Sequence, residues 1–425
     1  MSGILTTGKL VLTNTLSNQD AFDRLRVSMP NTLIEIMYTV GKNNFQIDEL
    51  VIGAGATAIV NNTNSYIQMS LDSGATGKIV KQSYEYVPYQ PGKSRLMLFS
   101  GILDVINGGT TGLVSRIGSF DSSVEKTFAA GNGNGLFFEL NNKTLSACVR
   151  LNDVDDKVPI NLWNYDKFDG TGPSGLSGLN FSTAKIFAID QEWLGVGRVR
   201  FGFFINGTFQ LGHSFNNSGI GTPVSTAITM PYTKTGKMPV RGEIISTLPV
   251  AAEMRLIAAT IISEGGLEPN GLNFSVGQST GIVVGATLTP LLSLKIRESE
   301  PYNRKTIALK SISLLNTTNR GMQWDLYMSL NDSVLTGASW TNADTVNSIA
   351  QYDISATGIT TLNSILVDSG YSDYSSNITF NYDKYLSSPI INSSISGRSK
   401  VLSLCGKALG ASPTNYASLT WIEII

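Results

Sequence analysis

The chain has 425 residues, of which 42% are hydrophobic and only 15% are charged, and its formal net charge at pH 7 is −1. This length is enough for two or three domains with cores of their own, and high apolar content with little net charge excludes a disordered chain. Near-neutrality and the lack of any run of basic residues argue against broad nucleic-acid binding, which needs clustered Lys and Arg.

The N-terminal residues carry neither the basic segment nor the continuous apolar stretch of a secretory signal. No window reaches the ~18 consecutive apolar residues of a membrane-spanning helix, so we expect a protein made in a cytosol that does not enter a membrane. Residues 1–30 contain few side chains able to build a core, and we predict an extended arm, with an edge strand of the first domain as the alternative. The arm offers apolar anchors and guanidinium groups that are expected to tether the protein to neighbouring molecules: Phe22, Arg24, Leu25 and Arg26.

From residue 31 onward, short apolar runs alternate with clusters of Gly, Pro and Asn at intervals of roughly 8–12 residues, the pattern of a β-sandwich. The segment "LEPNGLNFSVGQST" that follows Gly265 and Gly266 indicates a connection between two domains. We therefore predict an all-β fold with two β-sandwich, jelly-roll-like domains, over residues 31–270 and 271–425, preceded by the arm.

Residues 195–215, "GVGRVRFGFFINGTFQLGHSF", contain the only histidine of the chain, His213. Two β-rich runs flank Asn206-Gly207, and this dipeptide is typical of a two-residue hairpin because both turn residues take positive φ. The strict alternation of a strand predicts that His213 is a packed core histidine on one face with three apolar neighbours: Phe209, Leu211 and Phe215.

Two arginines of the same stretch, Arg198 and Arg200, alternate with the apolar set and face away from it. We expect them to pair with carboxylates on a neighbouring strand or subunit, with a solvated arginine face as the alternative. Arg241 and Glu243 also share a strand face and are candidates for the same kind of ladder.

Motifs for catalysis and cofactor binding are missing from the sequence. One histidine excludes a His-rich metal site, and "PGKS" at residues 91–94 lacks the upstream glycine of a P-loop. A GxSxG elbow, an HExxH motif and an EF-hand pattern are also absent. We therefore expect no catalytic residues, no cofactor and no metal. Cys148 and Cys405 have no CxxC partner and are expected to be ordinary small residues, although a disulfide between them stays open.

One loop has a composition that can recognise a ligand. In a β-sandwich, a loop such as "NLWNYDKFDG" can bind sugar or calcium through its oxygens, and a pair of carboxylates can serve a glycosidase. A solvated loop anchored by its tryptophan is the simpler interpretation. The candidate glycan loop comprises Trp163, Tyr165, Asp166 and Asp169.

Three blocks carry a resemblance to a known family: residues 20–35 with "DAFDRLRVS", residues 161–215 with "WLGVGRVRFGF", and residues 238–266 with "PVRGEI". Together they resemble virion structural proteins of tailed bacteriophages, which have relatives in large DNA viruses. The match keeps its order over residues 20–270 and is looser beyond. This chain departs from the pattern at Asp23, where glycine is common, and at Gly242, where an aromatic residue is common.

The resemblance implies a non-enzymatic virion component that is made in the host cytoplasm: a minor capsid, head-decoration, fibre-type or tail-associated protein. Its implied partners are other virion proteins and further copies of the same chain, and a trimer would be natural for a fibre. Neither nucleic acid nor a membrane is among them. The alternative is a tail-associated protein that binds a receptor or carbohydrate, with a host-surface glycan as the partner.

Overall fold

The computed structural model describes residues 3–6, 9–12, 19–39, 43–106, 108–127, 133–217, 230–266, 271–299, 302–373, 377–382 and 388–424. Regular structure within these ranges is almost entirely β-strand, so the predicted all-β class is confirmed. Helical turns in the same ranges are short 3₁₀ segments: Ile160–Leu162, Tyr302–Arg304 and Asp332–Val334. Over this part of the chain, no helix has the length and apolarity to cross a bilayer.

The chain divides into two compact units, which are described separately below. The first comprises Met1–Ser83, Val87–Val124 and Asn132–Glu268, and the second comprises Tyr84–Tyr86, Glu125–Gly131 and Pro269–Ile425. The predicted domain boundary after residue 270 lies outside the described residues and stays a prediction.

Seventeen strands are described over residues 3–264. They are β1 (Gly3–Thr6), β2 (Lys9–Leu12), β3 (Pro30–Met37), β4 (Ile47–Ile52), β5 (Thr57–Asn61), β6 (Tyr66–Leu71), β7 (Lys78–Val87), β8 (Arg95–Ile102), β9 (Leu113–Phe120), β10 (Gly135–Asn141), β11 (Thr144–Leu151), β12 (Val154–Pro159), β13 (Lys185–Gln191), β14 (Val199–Ile205), β15 (Thr208–Phe215), β16 (Met238–Ser246) and β17 (Ala252–Glu264).

Two large sheets form the layers of the first unit. A seven-stranded sheet has the order β12-β11-β10-β9-β16-β7-β4, and an eight-stranded sheet has the order β15-β14-β13-β8-β17-β6-β5, with β3 pairing the end of β17. Side chains alternate across each strand, so one face of each sheet can be apolar. These two faces join in one continuous core, and the sandwich prediction is confirmed for this unit.

Aromatic rings hold the centre of this core. Phe138 on β10 of the seven-stranded sheet lies 5.2 Å from the ring of Phe187, 5.2 Å from that of Phe201 and 5.6 Å from that of Phe203, all on the eight-stranded sheet. Burying each phenyl group contributes about 1.5–3 kcal/mol to the free energy of unfolding. The phenylalanines of the "RFGFF" stretch, residues 200–204, that face inward are therefore structural residues of the core.

The predicted hairpin forms, with positive φ at Asn206 (52°) and Gly207 (76°). The prediction that four alternate residues of β15 share a face is wrong. A bulge shifts the register, because Phe201 pairs with His213 while the next residue, Gly202, pairs with Leu211. The bulge leaves Gly212 unpaired, so β15 switches faces there. Phe209 and Leu211 accordingly pack on the outer face of the sheet with Ala188, whereas His213 and Phe215 lie on the core side.

Fourteen strands are described over residues 272–424. They are β18 (Leu272–Gly277), β19 (Ile282–Val283), β20 (Thr289–Ile296), β21 (Thr306–Asn316), β22 (Met322–Ser329), β23 (Leu335–Thr336), β24 (Thr341–Asn342), β25 (Ala350–Asp353), β26 (Gly358–Ile359), β27 (Ser364–Ser372), β28 (Asn377–Asn381), β29 (Ile390–Ile391), β30 (Val401–Ala408) and β31 (Thr414–Ile424).

The second unit contains two six-stranded sheets. One has the order β18-β31-β21-β28, with β19 beside β31 and β29 beside β21, and the other has the order β24-β25-β20-β30-β22-β27. Trp324 of β22 lies 4.7 Å, ring to ring, from Phe380 of β28, so the inner faces of the two sheets meet. This unit is also a β-sandwich, as the sequence predicts.

The predicted arm is only partly extended. Gly3–Thr6 pairs with Lys9–Leu12 as an antiparallel hairpin, with Gly3 opposite Leu12. These two short runs are rich in apolar and β-branched residues and pair with each other rather than remaining a single extended segment. Residues 19–29 follow an irregular path that is fastened to the first unit, and Asp23 adopts a φ of 60°. Position 23 is therefore one that favours glycine, the residue common there in the resembled family.

We expect Gly212→Ala to lower the free energy of unfolding by about 2–4 kcal/mol, because a Cβ at this bulge would lie 2.3 Å from the Trp163 ring. Gly207→Ala is the matched control. Its φ is positive, unlike that of Gly212, and nothing lies within 4 Å of its Cβ position, so backbone strain alone should cost about 1 kcal/mol. Urea unfolding measures both, and equal losses would contradict the bulge argument.

Candidate functional site

The tryptophan of the candidate glycan loop is buried and not exposed to solvent. Trp163 is only 2% exposed, and its ring packs 6.0 Å from that of Phe203 and 6.1 Å from that of Phe168. Its Nε1 donates to the carbonyl of Val158 at 2.9 Å. The ring is therefore part of the core and cannot stack on a ligand.

The carboxylates of this loop hold turns together. Asp166 is buried and accepts hydrogen bonds from the amides of Phe168 at 2.7 Å and Ser174 at 2.8 Å. Asp169 is exposed, and hydrogen bonds from Thr171 lower its pKa below the ordinary value. Tyr165, which is 42% exposed, is the remaining open aromatic group of this set. The structure does not assemble the four predicted residues into one site.

The predicted Arg–Glu pairs belong to a charged ladder on the outer face of the seven-stranded sheet. Glu243, Arg116 and Glu139 stand in register on β16, β9 and β10. The Arg116 guanidinium donates to Glu243 at 2.6 Å and to Glu139 at 2.7 Å. Arg241 donates to Glu243 from Nε at 2.9 Å, and Lys157 donates to Glu139 at 2.8 Å. The pairing here is within the chain.

The two carboxylates of this ladder are almost completely shielded from solvent, so the neighbouring guanidinium groups determine their charge state. Glu243 is 1% exposed and Glu139 is 2% exposed. Burial by itself would raise the pKa of Glu243, but the Arg241 and Arg116 guanidiniums outweigh it and hold that pKa well below its usual range. Since Glu243 stays ionised at neutral pH, it cannot serve as the protonated acid of a glycosidase pair.

A second charged cluster, which we call the arm clamp, lies on the outer face of the eight-stranded sheet. Asp190 on β13 is opposite Arg200 on β14, and its Oδ2 accepts from Arg200 Nε at 3.1 Å and from Arg26 Nη2 at 2.8 Å. Arg26 also pairs with Glu264 at the end of β17. The arm clamp consists of Arg26, Asp190, Arg200 and Glu264.

Further contacts hold the predicted arm residues to the same unit. Arg198 donates to the carbonyl of Ala21 at 2.6 Å and to Asp23 at 2.7 Å. The Arg24 guanidinium lies over the ring of Phe22 at 4.4 Å and pairs with Asp20. The arginines that we expected to bind neighbouring molecules thus pair with groups of their own chain.

His213 is a core residue, 6% exposed, with its ring 4.6 Å from that of Phe215. Its Nδ1 accepts from the amide of Asn164 at 3.3 Å. Burial lowers its pKa to about 4, so the neutral imidazole is retained at physiological pH. Cys148 and Cys405 are both free and buried, and burial raises the pKa of each thiol.

An open pocket lies in the second unit, on residues that the sequence reasoning did not single out. Gly370 on β27 faces the core, where a Cβ would lie 2.8 Å from the Trp324 ring. Because side chains alternate, the next residue, Tyr371, points outward, and it is 68% exposed. A pocket of about 490 Å³ adjoins this ring. Its lining, which we call the Tyr371 pocket, is Asn319, Arg320, Gly321, Tyr371, Ser372, Asp373, Leu409, Gly410 and Ala411.

A buried amide holds the segments of the Tyr371 pocket in place. Asn316 is fully buried and donates from Nδ2 to the carbonyls of Arg320 at 2.6 Å and Asp373 at 3.5 Å. Its Oδ1 accepts from the amide of Thr318 at 3.0 Å. The Arg320 guanidinium is further held by the carbonyl of Ser412 at 3.0 Å. The pocket is therefore pre-formed, which lowers the entropic cost of binding.

The signal for this pocket in the sequence is weak. "NTTNRG" between β21 and β22 is typical of a turn, and the single tyrosine of "DSGYSD" is unremarkable without its pairing register. Among the described residues, no group of three or more His, Cys, Asp or Glu side chains is arranged to hold a metal ion.

No family model and no curated protein matches the chain. Solved structures similar to it include the Bacillus licheniformis β-glucanase, at 11% identity over 55% of this chain and 97% of that chain, with a TM-score of 0.33. Peanut lectin with a nine-residue peptide has 13% identity over 56% and 98%, with a TM-score of 0.33. A legume lectin-like domain from Entamoeba histolytica has 8% identity over 54% and 96%, with a TM-score of 0.32. At these values none of them carries an argument about function.

We expect the free energy of unfolding to fall as the pH falls from about 6.5 to about 4, the pKa of folded His213. In this window the unfolded chain binds a proton at the imidazole and the folded chain does not. The free energy of unfolding therefore falls by up to about 1.4 kcal/mol for each pH unit. The variant His213→Asn keeps an acceptor near the Asn164 amide and should lose roughly 2 kcal/mol less between pH 6.5 and pH 5. Urea titrations at the two pH values give the comparison, and parallel losses in both proteins would refute it.

Proposed function

We propose that this chain is a non-catalytic saccharide-binding protein whose binding site is the Tyr371 pocket. The observation that carries the proposal is an outward-facing aromatic ring beside a pre-formed pocket that also contains polar side chains. A sugar ring has an apolar C–H face and a rim of hydroxyl groups, so it suits one exposed aromatic face surrounded by side chains that donate and accept hydrogen bonds.

The dimensions and charges of the pocket support a small, neutral saccharide. Its volume of about 490 Å³ falls within the roughly 300–1,000 Å³ of small-molecule sites. Asn319 supplies an amide, while Arg320 and Asp373 supply one cationic and one anionic group. The two charges offset each other, and planar groups of these kinds bind adjacent hydroxyls through paired hydrogen bonds.

The state of two buried titratable groups, His213 and Glu243, agrees with binding without catalysis. His213 is buried against Phe215, and Glu243 is locked in an ion pair with Arg241. Neither group is placed to exchange a proton with a substrate, which general acid–base catalysis requires.

A second candidate is the virion component that the sequence resemblance implies. The arm clamp favours it, because the three blocks that carry the resemblance meet there. Arg26 comes from the first block, Asp190 and Arg200 from the second, and Glu264 from the third. Residues from all three blocks thus act together to hold the arm on the first unit. The two candidates are compatible, since the saccharide-binding protein can be part of a particle.

For the saccharide site, we expect Tyr371→Ala to weaken binding at least tenfold, the loss of about 1.4 kcal/mol of stacking. A glycan array identifies the saccharide and isothermal titration measures its affinity. Tyr371→Phe keeps the ring and should stay within about threefold of the parent. Urea unfolding should be unchanged in both variants, since the side chain is 68% exposed.

Tyr165→Ala is the control for the candidate glycan loop, because Tyr165 is an exposed tyrosine of the first unit. Its affinity should equal that of the parent. Loss of binding in this variant instead would move the site to the loop, and an array without any bound glycan would overturn saccharide binding altogether.

For the virion candidate, we expect the chain without residues 2–30 to fold but not to enter particles. The truncation removes Arg26 and leaves the buried Asp190–Arg200 pair intact, so circular dichroism should be close to that of the parent. Mass spectrometry of purified particles measures incorporation, and a normal content of the truncated chain would count against the arm as a tether.

A further inference from the structure

The hairpin of β14 and β15 ends in a tight turn whose amides lie outside the sheet. Ile205 is the last residue of β14 to pair, and its partner is Thr208. Asn206 and Gly207 therefore form the whole loop, and both are exposed. Their positive φ values, 52° and 76°, match the turn that favours this dipeptide. The amide of Gly207 thus takes no part in the hydrogen-bonded ladder of the hairpin.

The side chain of Asn206 is also unrestrained. Within the part of the chain that the structure describes, its amide makes no hydrogen bond. A Cβ at Gly207 would have nothing within 4 Å, and glycine has no side chain to shield its own peptide nitrogen. An open side-chain amide therefore precedes an open backbone nitrogen at the tip of this hairpin.

These two groups can react with each other in water. The Gly207 nitrogen loses its proton to hydroxide and forms a bond to Cγ of Asn206, while the Cγ–Nδ2 bond breaks and ammonia leaves. Water then opens the cyclic imide. Cleavage between the nitrogen and Cγ gives aspartate, and cleavage between the nitrogen and the backbone carbonyl carbon gives isoaspartate. The sequence of steps consumes water, releases ammonia and needs no other reactant.

The position of the turn in the sheet favours this reaction. The backbone of Asn206 is held in the left-handed conformation, so it must rotate before the nitrogen of Gly207 reaches Cγ. Because β15 is an edge strand of the eight-stranded sheet, breaking the single pair of Ile205 with Thr208 opens the tip. Local opening costs least at exposed loop tips of this kind.

A second Asn-Gly pair of the same unit is protected from this reaction. Asn134 is fully buried, and its Oδ1 accepts a hydrogen bond from the amide of Lys234 at 2.9 Å. Gly135 begins β10 and pairs with Phe120 of β9 and with Arg150 of β11. Reaction at this pair would require both ladders to separate, so it serves as an internal comparison for the exposed turn.

We propose that Asn206 is a site of spontaneous deamidation in the folded chain, with isoaspartate among the products. An isoaspartyl link runs through Cβ and therefore lengthens the backbone of the loop by one carbon atom. Register in a hairpin is fixed by the length of its loop, so the pair of Ile205 with Thr208 is lost. The next cross-strand pair, Phe204 and Phe209, whose rings lie 5.6 Å apart, then loosens. This modification is independent of the proposed saccharide site.

Incubation of the full chain in mildly alkaline buffer, followed by peptide mapping with mass spectrometry, tests the proposal. Asn206 should convert at least about tenfold faster than Asn134, because a loop tip opens far more often than a strand paired on both sides. Fragment spectra assign the modified residue, since further Asn-Gly pairs begin at positions 107, 132 and 270, outside the described residues. Isoaspartyl methyltransferase should label the Asn206 peptide. Equal conversion at Asn206 and Asn134, or an unmodified Asn206, would overturn the proposal.

The variant Asn206→Gly is the matched control. Glycine accepts the positive φ of this position and keeps the turn type, but it has no side-chain amide to react. The methyltransferase label should therefore be absent from its hairpin peptide. Urea unfolding of fresh and incubated samples measures the effect on the hairpin: the parent should lose stability on incubation and the variant should not. An equal loss in both proteins would contradict the predicted effect of isoaspartate on the hairpin.

Discussion

The strands of the two large sheets in the first unit turn alternate side chains into a shared apolar core. The remaining side chains lie on the outer face of each sheet, where polar groups need partners. The two sheets meet this constraint differently. The seven-stranded sheet covers its outer face with ion pairs that run from Glu243 through Arg116 to Glu139, and guanidinium groups lie over aromatic rings. The eight-stranded sheet covers one end of its outer face with the arm, and further along that face Gln68, Glu253 and Arg255 form a second polar cluster.

Burial determines the chemistry that these groups can do. A carboxylate between two guanidiniums, such as Glu243, is kept ionised, and an imidazole packed on Phe215 is kept neutral. Both states are those of structural residues, since a catalytic acid or base needs a pKa near the working pH and access to substrate. An exposed aromatic ring beside polar side chains lies elsewhere, at Tyr371 in the second unit.

The arm clamp brings residues from three distant stretches of the sequence into contact. Arg26, Asp190 and Glu264 are separated by well over sixty residues from one another, yet they form one cluster on the outer face of a sheet. The buried Asp190 would be costly without its cationic partners, so the arm and the strands it crosses stabilise each other. Leu25 and Val27, on either side of Arg26, remain exposed.

Local signals in the sequence were sufficient for part of this description. Turn clusters and alternating apolar residues predicted an all-β sandwich, and Asn206-Gly207 predicted its hairpin, because turn chemistry and strand period are properties of neighbouring residues. The packed state of His213 followed from the same alternation. Phe215 is its neighbour as predicted, but Phe209 and Leu211 are not, since the bulge at Gly212 moves them to the other face of the sheet.

Other features depend on which strands become neighbours, and alternation alone does not contain that information. It showed that Arg198 and Arg200 leave the core face, but it did not show which carboxylates meet them. Strand pairing sets Asp190 opposite Arg200, and the path of the arm brings Asp23 to Arg198. The composition of its loop suggested that Trp163 could stack on a ligand, but packing of the two sheets buries its ring. Gly370 lies against the Trp324 ring on the core side, so the next residue, Tyr371, points to solvent. The sequence by itself determined the class of fold and the inward or outward direction of most side chains, which are local. Tertiary structure decided which of them are buried together and which surfaces stay open, because contacts between distant segments arise only when the sheets pack.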